Sequence, residues 1–138
     1  MADDKRADAK EWTSFADKDL DVAVHLFETF RPMPLEIICF HCQQAAEKAV
    51  KSVIVLKGSQ GGFPRKHDLF LLLSQIKNMV AVDEKLFDYA DELTPYGVAA
   101  RYPSELFLEE RHAEKAIRMA KEFVEWSKSI IAAAESED

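Results

Sequence analysis

Cysteine is scarce in this sequence, with Cys39 and Cys42 the only two in 138 residues. One CxxC without a second pair excludes a disulfide framework. Nothing approaches the run of about 18 to 20 apolar residues that a membrane helix needs. The opening MADDKRADAKEW lacks the apolar core of a secretion signal, so a cytoplasmic protein with no membrane contact is expected. No segment alternates apolar and polar residues over a convincing length, and no internal repeat or low-complexity run is visible. Of the four glycines, three fall in one short stretch from Gly58 to Gly62. That stretch lacks both the GxxxxGK[ST] spacing and a preceding strand, so it reads as a loop rather than a phosphate cradle.

What is present is ordinary for a folded domain: 48% hydrophobic and 31% charged residues. The length suits one hydrophobic core. A formal net charge of -7 repels phosphate overall, so any nucleic-acid contact needs a local basic patch. One candidate patch runs from Lys48 to Lys77, where Lys48, Lys51, Lys57, Arg65, Lys66 and Lys77 face the single acid Asp68, a local balance of +5.

Helical periodicity accounts for nearly all of the chain. A first helix is expected from about Lys10 to Phe30, with Trp12, Phe15, Ala16, Leu20, Ala23, Leu26 and Phe27 on one arc. Asp19 lies in the middle of that arc, where an unpaired carboxylate is costly, so it demands a partner: Arg101 or a lysine of the second helix. Arg31-Pro32-Met33-Pro34 ends this helix. The second should run from Pro34 or Leu35 to Lys57 and stop at Gly58. Its main apolar face carries Ile38, Cys42, Ala45, Ala46, Ala49, Val53 and Leu56, but Ile37, Phe40, Ile54 and Val55 interrupt the polar side. Such a helix is covered on more than one face, either central to a bundle or shared with a second subunit.

A third helix is expected from His67 or Asp68 to about Asn78, and a fourth from Asp83, which can cap it, to the disturbance at Thr94-Pro95. A fifth, strongly amphipathic helix spans Glu109 to Ala133, after a break at Arg101-Tyr102-Pro103-Ser104. The whole predicts an all-α antiparallel bundle of about five helices, up-and-down with a break near Arg101. It forms one domain over 9–133, with flexible termini at 1–8 and 134–138.

Candidate chemistry is sparse. Cys39 and Cys42 sit one turn apart, but His41 points roughly 100° or more away from both, and no further soft ligands complete a zinc site. The two thiols are better taken as small core residues, and neither a metal nor a cofactor is expected. His112, on the apolar arc of the fifth helix, suits a satisfied half-buried histidine. Lys48, Lys51, Arg65, Lys66, His67, Arg101 and Tyr102 are candidates for holding a ligand or phosphate. The Arg101 guanidinium could grip phosphate through two nitrogens or neutralise Asp19. Gln43, Gln44 and Glu47, with Asp19, are candidates for structural or interface hydrogen bonding.

Taken together, WTSFADKDLDVA, FHCQQAAEKAVKSVIVLKG, the His67-Asp68-Leu69 start of the third helix and AARYP from Ala99 to Pro103 resemble the HEPN domain family, from about Trp12 to Ser129. The resemblance implies a bundle of about five helices that is commonly a homodimer. It also implies a partner, because members are often encoded beside a minimal nucleotidyltransferase in a toxin and antitoxin pair. Many members are metal-independent RNases in which an arginine precedes a histidine by four to six intervening residues. The arginine stabilises the transition-state phosphate while the histidine exchanges a proton.

This chain departs from that pattern. If Arg101 is the motif arginine, the positions open to the histidine hold Leu106, Phe107 and Leu108, none of which exchanges a proton. The expectation is therefore a noncatalytic helical dimer acting as a binding or partner subunit, with nucleotide or RNA phosphate as candidate ligand. The alternatives are a ribonuclease with a nonstandard site, combining Arg101 with His67 in space, and a purely structural homodimer.

Overall fold

A computed structural model of the chain describes residues 2–58, 68–98 and 107–137. Among them are α1 (Ala2–Thr29), α2 (Leu35–Lys57), α3 (Leu69–Ile76), α4 (Glu84–Leu93), a 3-10 turn (Thr94–Val98) and α5 (Glu110–Ser136). The described residues contain no strand, in accord with the expected all-α bundle. None of these helices is long and apolar enough to cross a membrane.

Local chemistry explains where the helices start and stop. Gly58 closes α2 in the left-handed conformation, φ +66°, and its N–H returns to the carbonyls of Ile54 and Val55. The Asp68 carboxylate caps α3 by accepting from the Leu71 N–H, and Asp83 caps α4 by accepting from the Lys85 N–H. At the end of α4, Thr94 Oγ1 donates to the Ala90 carbonyl and accepts from the Leu69 N–H, which ties the α4 terminus to the start of α3. His112 and Glu109 form a reciprocal cap on α5: the Glu109 side chain accepts from the His112 N–H, and His112 Nδ1 accepts from the Glu109 N–H.

Two helices run past their expected bounds. α1 begins at Ala2 rather than near Lys10, and α5 continues to Ser136, so helix extends beyond 9–133 at both ends. The physical reason is a second, small apolar cluster: Ala9 packs with Leu56 and Ile131, and Ala134 lies against them. Lys10 and Glu135 pair across the same seam. The early acid Asp4 and the alanines Ala7 and Ala9 suit the opening turns of a helix, through the helix dipole and through propensity.

Paired side chains give the directions. Lys10 meets Glu135 and Lys128 meets Asp17, so α1 and α5 are antiparallel. Asp19 meets both Lys48 and His41, while Trp12 meets Lys51, so α1 and α2 are antiparallel as well. Lys85 with Glu122 and Lys115 with Glu92 set α4 antiparallel to α5. α2 is the hub of this arrangement. Ala45, Ala46 and Ala49 on α2 and Ala113, Ala116 and Ala120 on α5 are fully buried, because small side chains let helix axes approach. Phe123, Ile38, Leu72, Leu73 and Leu93 fill the space that remains.

Candidate functional site

The single apolar arc expected on α1 divides in the structure. Ala16, Leu20 and Ala23 enter the core, whereas Trp12 is half-buried and Phe15 is 45% exposed. Between these two sets lies Asp19, against α2. Its carboxylate accepts from His41 Nδ1 at 2.9 Å and from Lys48 Nζ at 2.5 Å. The partner required on the second helix is thus Lys48. His41 is a further partner that periodicity did not point to, although His41 and Lys48, seven residues apart, share one stripe of α2.

Electrostatics at this triad follow from burial and pairing. The Asp19 side chain retains 13% exposure. Burial pushes its carboxyl upward, but hydrogen bonds from His41 and Lys48 and their charges outweigh that and hold it below the usual carboxylate range. Asp19 is therefore ionised at neutral pH and fixes the His41 ring through Nδ1. The edge of Phe40 packs against the same imidazole, with ring centroids 5.5 Å apart.

A second polar line runs beside the first. Gln44 Nε2 donates to Gln43 Oε1 at 2.7 Å, Gln43 Nε2 donates to Glu47 Oε1 at 3.3 Å, and Lys51 Nζ donates to Glu47 Oε2 at 3.2 Å. Lys51 also lies over the Trp12 ring, 5.5 Å from its centroid. Gln43 is fully buried and Glu47 nearly so. They therefore hydrogen-bond inside the bundle rather than at its surface, and the 3-10 turn packs against Gln43. A Cβ at Gly97 would come within 3.2 Å of the Gln43 side chain, a tight contact to which Gln43 would have to yield. Only Gln44, Lys48 and Lys51 of this set keep access to solvent.

Above the triad is a groove of about 460 Å³ lined by Asp8, Glu11, Trp12, Phe15, Lys48 and Val55. Its floor is aromatic and aliphatic, with two carboxylates and one ammonium around it. The apolar character continues along the α1–α2 pair in Val22, 42% exposed, and Ile37, 44% exposed.

Arg65, Lys66, His67, Arg101 and Tyr102 lie outside the described residues, and with them the expected pairing of Arg101 with Asp19 or with His67. Phe107 is almost fully exposed and Leu108 packs on the core. His112 is committed through Nδ1 to capping its own helix.

Cys39 and Cys42 are fully buried. Burial, helped by the charge of Glu36, pushes the Cys39 thiol up to about 12, and burial pushes Cys42 higher still. Both are inert neutral thiols in the folded chain. A thiol-reactive disulfide reagent at pH 7 should therefore modify neither in the native protein and both after denaturation; stoichiometric native labelling would contradict this burial.

Comparison with known proteins agrees with the fold. The model of the HEPN domain matches residues 9–130. The crystal structure of TT1696 from Thermus thermophilus is similar at TM-score 0.74 and 25% identity, covering 88% of this chain and 96% of that one. The crystal structure of ST0689, an archaeal HEPN homologue, is similar at TM-score 0.66 and 26% identity, covering 89% of this chain and 97% of that one. No curated protein matches. With the family match spanning the bundle from α1 to α5, this chain belongs to the HEPN domain family.

Proposed function

We propose that the protein is a noncatalytic helical homodimer that serves as a binding or partner subunit, its two copies meeting along the outer face of α1 and α2. The observation that carries this is the row of exposed apolar side chains on that face, Phe15, Val22 and Ile37, beside the groove at Trp12 and Val55. Charge on α1 supports a second copy as the occupant. Asp8, Glu11, Phe15, Lys18 and Val22 repeat at steps of three and four residues, which places them on one stripe. A two-fold axis passing near Phe15 would set Glu11 of one copy opposite Lys18 of the other, so the stripe complements itself.

The same assembly suits a partner role. Family members are often paired with a minimal nucleotidyltransferase, and the basic segment from Lys48 to Lys77 offers charge for nucleotide or RNA phosphate. The absence of catalysis rests on the residues after Arg101: Leu106, Phe107 and Leu108 hold no proton to exchange. His112, the next histidine, uses Nδ1 as a helix cap.

Incubation of the purified protein with a broad panel of RNAs in the presence of a chelator tests the catalytic part. No cleavage above buffer is expected. Cleavage that persists with chelator and vanishes in Arg101→Ala, with the fold intact by circular dichroism, would replace this proposal with the nonstandard ribonuclease.

A further inference from the structure

A second cleft, sharing no residue with the α1–α2 groove, lies where the end of α4 and the 3-10 turn meet the first turns of α5. It measures about 470 Å³ and is lined by Glu92, Tyr96, Arg111, His112, Lys115, Arg118 and Met119. Arg111, Lys115 and Arg118 follow one another at steps of four and three residues, so they form one stripe facing this cleft. Three permanent cations against one lining carboxylate are unusual in a chain of net charge -7.

The donors here are available. Arg118 makes no ion pair within 4.0 Å among the described residues. Lys115 pairs with Glu92 at 2.8 Å and Arg111 with Glu109 at 3.4 Å, but both pairs are about half exposed or more. Such surface pairs are worth roughly 0 to 1 kcal/mol and yield readily to a better acceptor. Because His112 Nδ1 accepts the Glu109 N–H, its ring proton sits on Nε2, which is then a donor. Burial, helped by the charge of Glu92, pushes the Tyr96 phenol up to about 12, so Tyr96 remains a neutral hydroxyl. Met119, almost fully buried, gives the cleft an apolar wall.

We infer that this cleft binds a small phosphate ester, the dianion held by Arg118, Lys115 and Arg111 and its organic body lying against Tyr96 and Met119. Size and surrounding charge separate a small ester from a polynucleotide. The stripe from Arg111 to Arg118 is only about 10 Å long at 1.5 Å per residue. Glu109 and Glu110 precede it, and Glu122 and Glu125 follow it on the same helix. The phosphates of a longer strand would meet those carboxylates, whereas one terminal phosphate would not. A tightly held phosphate ester is also the kind of ligand that uses several fixed donors at once. The site does not depend on the dimer, nor on the segment from Lys48 to Lys77.

Titration calorimetry and chemical-shift mapping with phenyl phosphate at low salt test the assignment, with inorganic phosphate and a short RNA as comparators. Phenyl phosphate should bind saturably, more tightly than inorganic phosphate, and shift the resonances of Tyr96, Lys115 and Arg118. Arg118→Ala should weaken it about tenfold, the effect of one charge-assisted contact of about 1.4 kcal/mol. The double variant Lys115→Ala with Arg118→Ala should abolish binding, while Lys121→Ala, exposed on α5 outside the cleft lining, leaves it unchanged. The substituted cleft side chains are exposed, so each cleft variant should keep the parent melting temperature, which circular dichroism verifies. Absence of saturable binding, or binding unchanged in the double variant, would overturn the site. Inorganic phosphate binding as tightly as phenyl phosphate, or the RNA displacing phenyl phosphate at lower concentration, would overturn its assignment to a small ester.

Discussion

Asp19→Ala should destabilise the folded chain by about 2 to 3 kcal/mol, below the 3 to 5 of a fully buried broken pair because Lys48 and His41 retain some water access. The substitution leaves two donors, His41 Nδ1 and Lys48 Nζ, facing a gap between α1 and α2. Chemical denaturation of Asp19→Ala, Lys48→Met and the double variant measures the coupling: the double variant should lose less than the two single losses together. Strict additivity would mean that the contact stabilises nothing.

The same carboxylate sets an acid limit. Its folded-state pKa lies below the ordinary 3.8. The stability it contributes is therefore fully present above the unfolded value and is lost as pH falls through the folded one. Parent stability should thus decline on acidification below about pH 4 more steeply than that of Asp19→Asn, which has no proton to take up there.

The larger effect is expected on the exposed face of the same helix. Phe15→Glu should weaken self-association on the order of a thousandfold. A two-fold interface feels each substitution twice, and each copy loses roughly 2 kcal/mol of apolar burial before any cost of desolvating the new carboxylate. Phe15 is 45% exposed in the single chain, so its loss should leave the monomer fold intact. Sedimentation velocity over a concentration series reads the change. An unchanged dimer constant would place the interface elsewhere. Lys18→Glu should act in the same direction more weakly, by setting like charges opposite one another across the axis.

Much of the bundle is legible in the sequence because its punctuation is strong. Pro34 and Gly58 bracket α2, Asp68 and Asp83 announce caps, and the polar and apolar halves of α5 separate cleanly. The demand of Asp19 for a partner is legible too, since a carboxylate within an apolar arc has few ways to be satisfied. Identifying His41 beside Lys48 is harder. It depends on the register between α1 and α2, which periodicity within one helix does not carry. For the same reason the sequence leaves Gln43 and Glu47 between a structural and an interface role: nothing local reveals that both are buried, Gln43 against the 3-10 turn at Gly97. The basic cleft on α5 hides in an ordinary solvated face, and only the packing of α4 and Tyr96 against it turns three lysine and arginine side chains into a site. The early start of α1 is equally hidden, because Ala9 gains its burial from Leu56 and Ile131, far along the chain.

The face formed by α1 and α2 joins these results. Beneath it, Asp19 is held by His41 and Lys48, which locks the two helices in register; above it, Phe15, Val22 and Ile37 remain uncovered in one copy. A rigid pair with an apolar outer row is what a stable subunit contact requires. The measurement that tests this most directly is the solution mass of the purified protein by multi-angle light scattering, run beside Phe15→Glu. Twice the chain mass of 15.7 kDa for the parent and a single chain mass for the variant is the expected result. A parent that stays monomeric at high concentration would contradict the account.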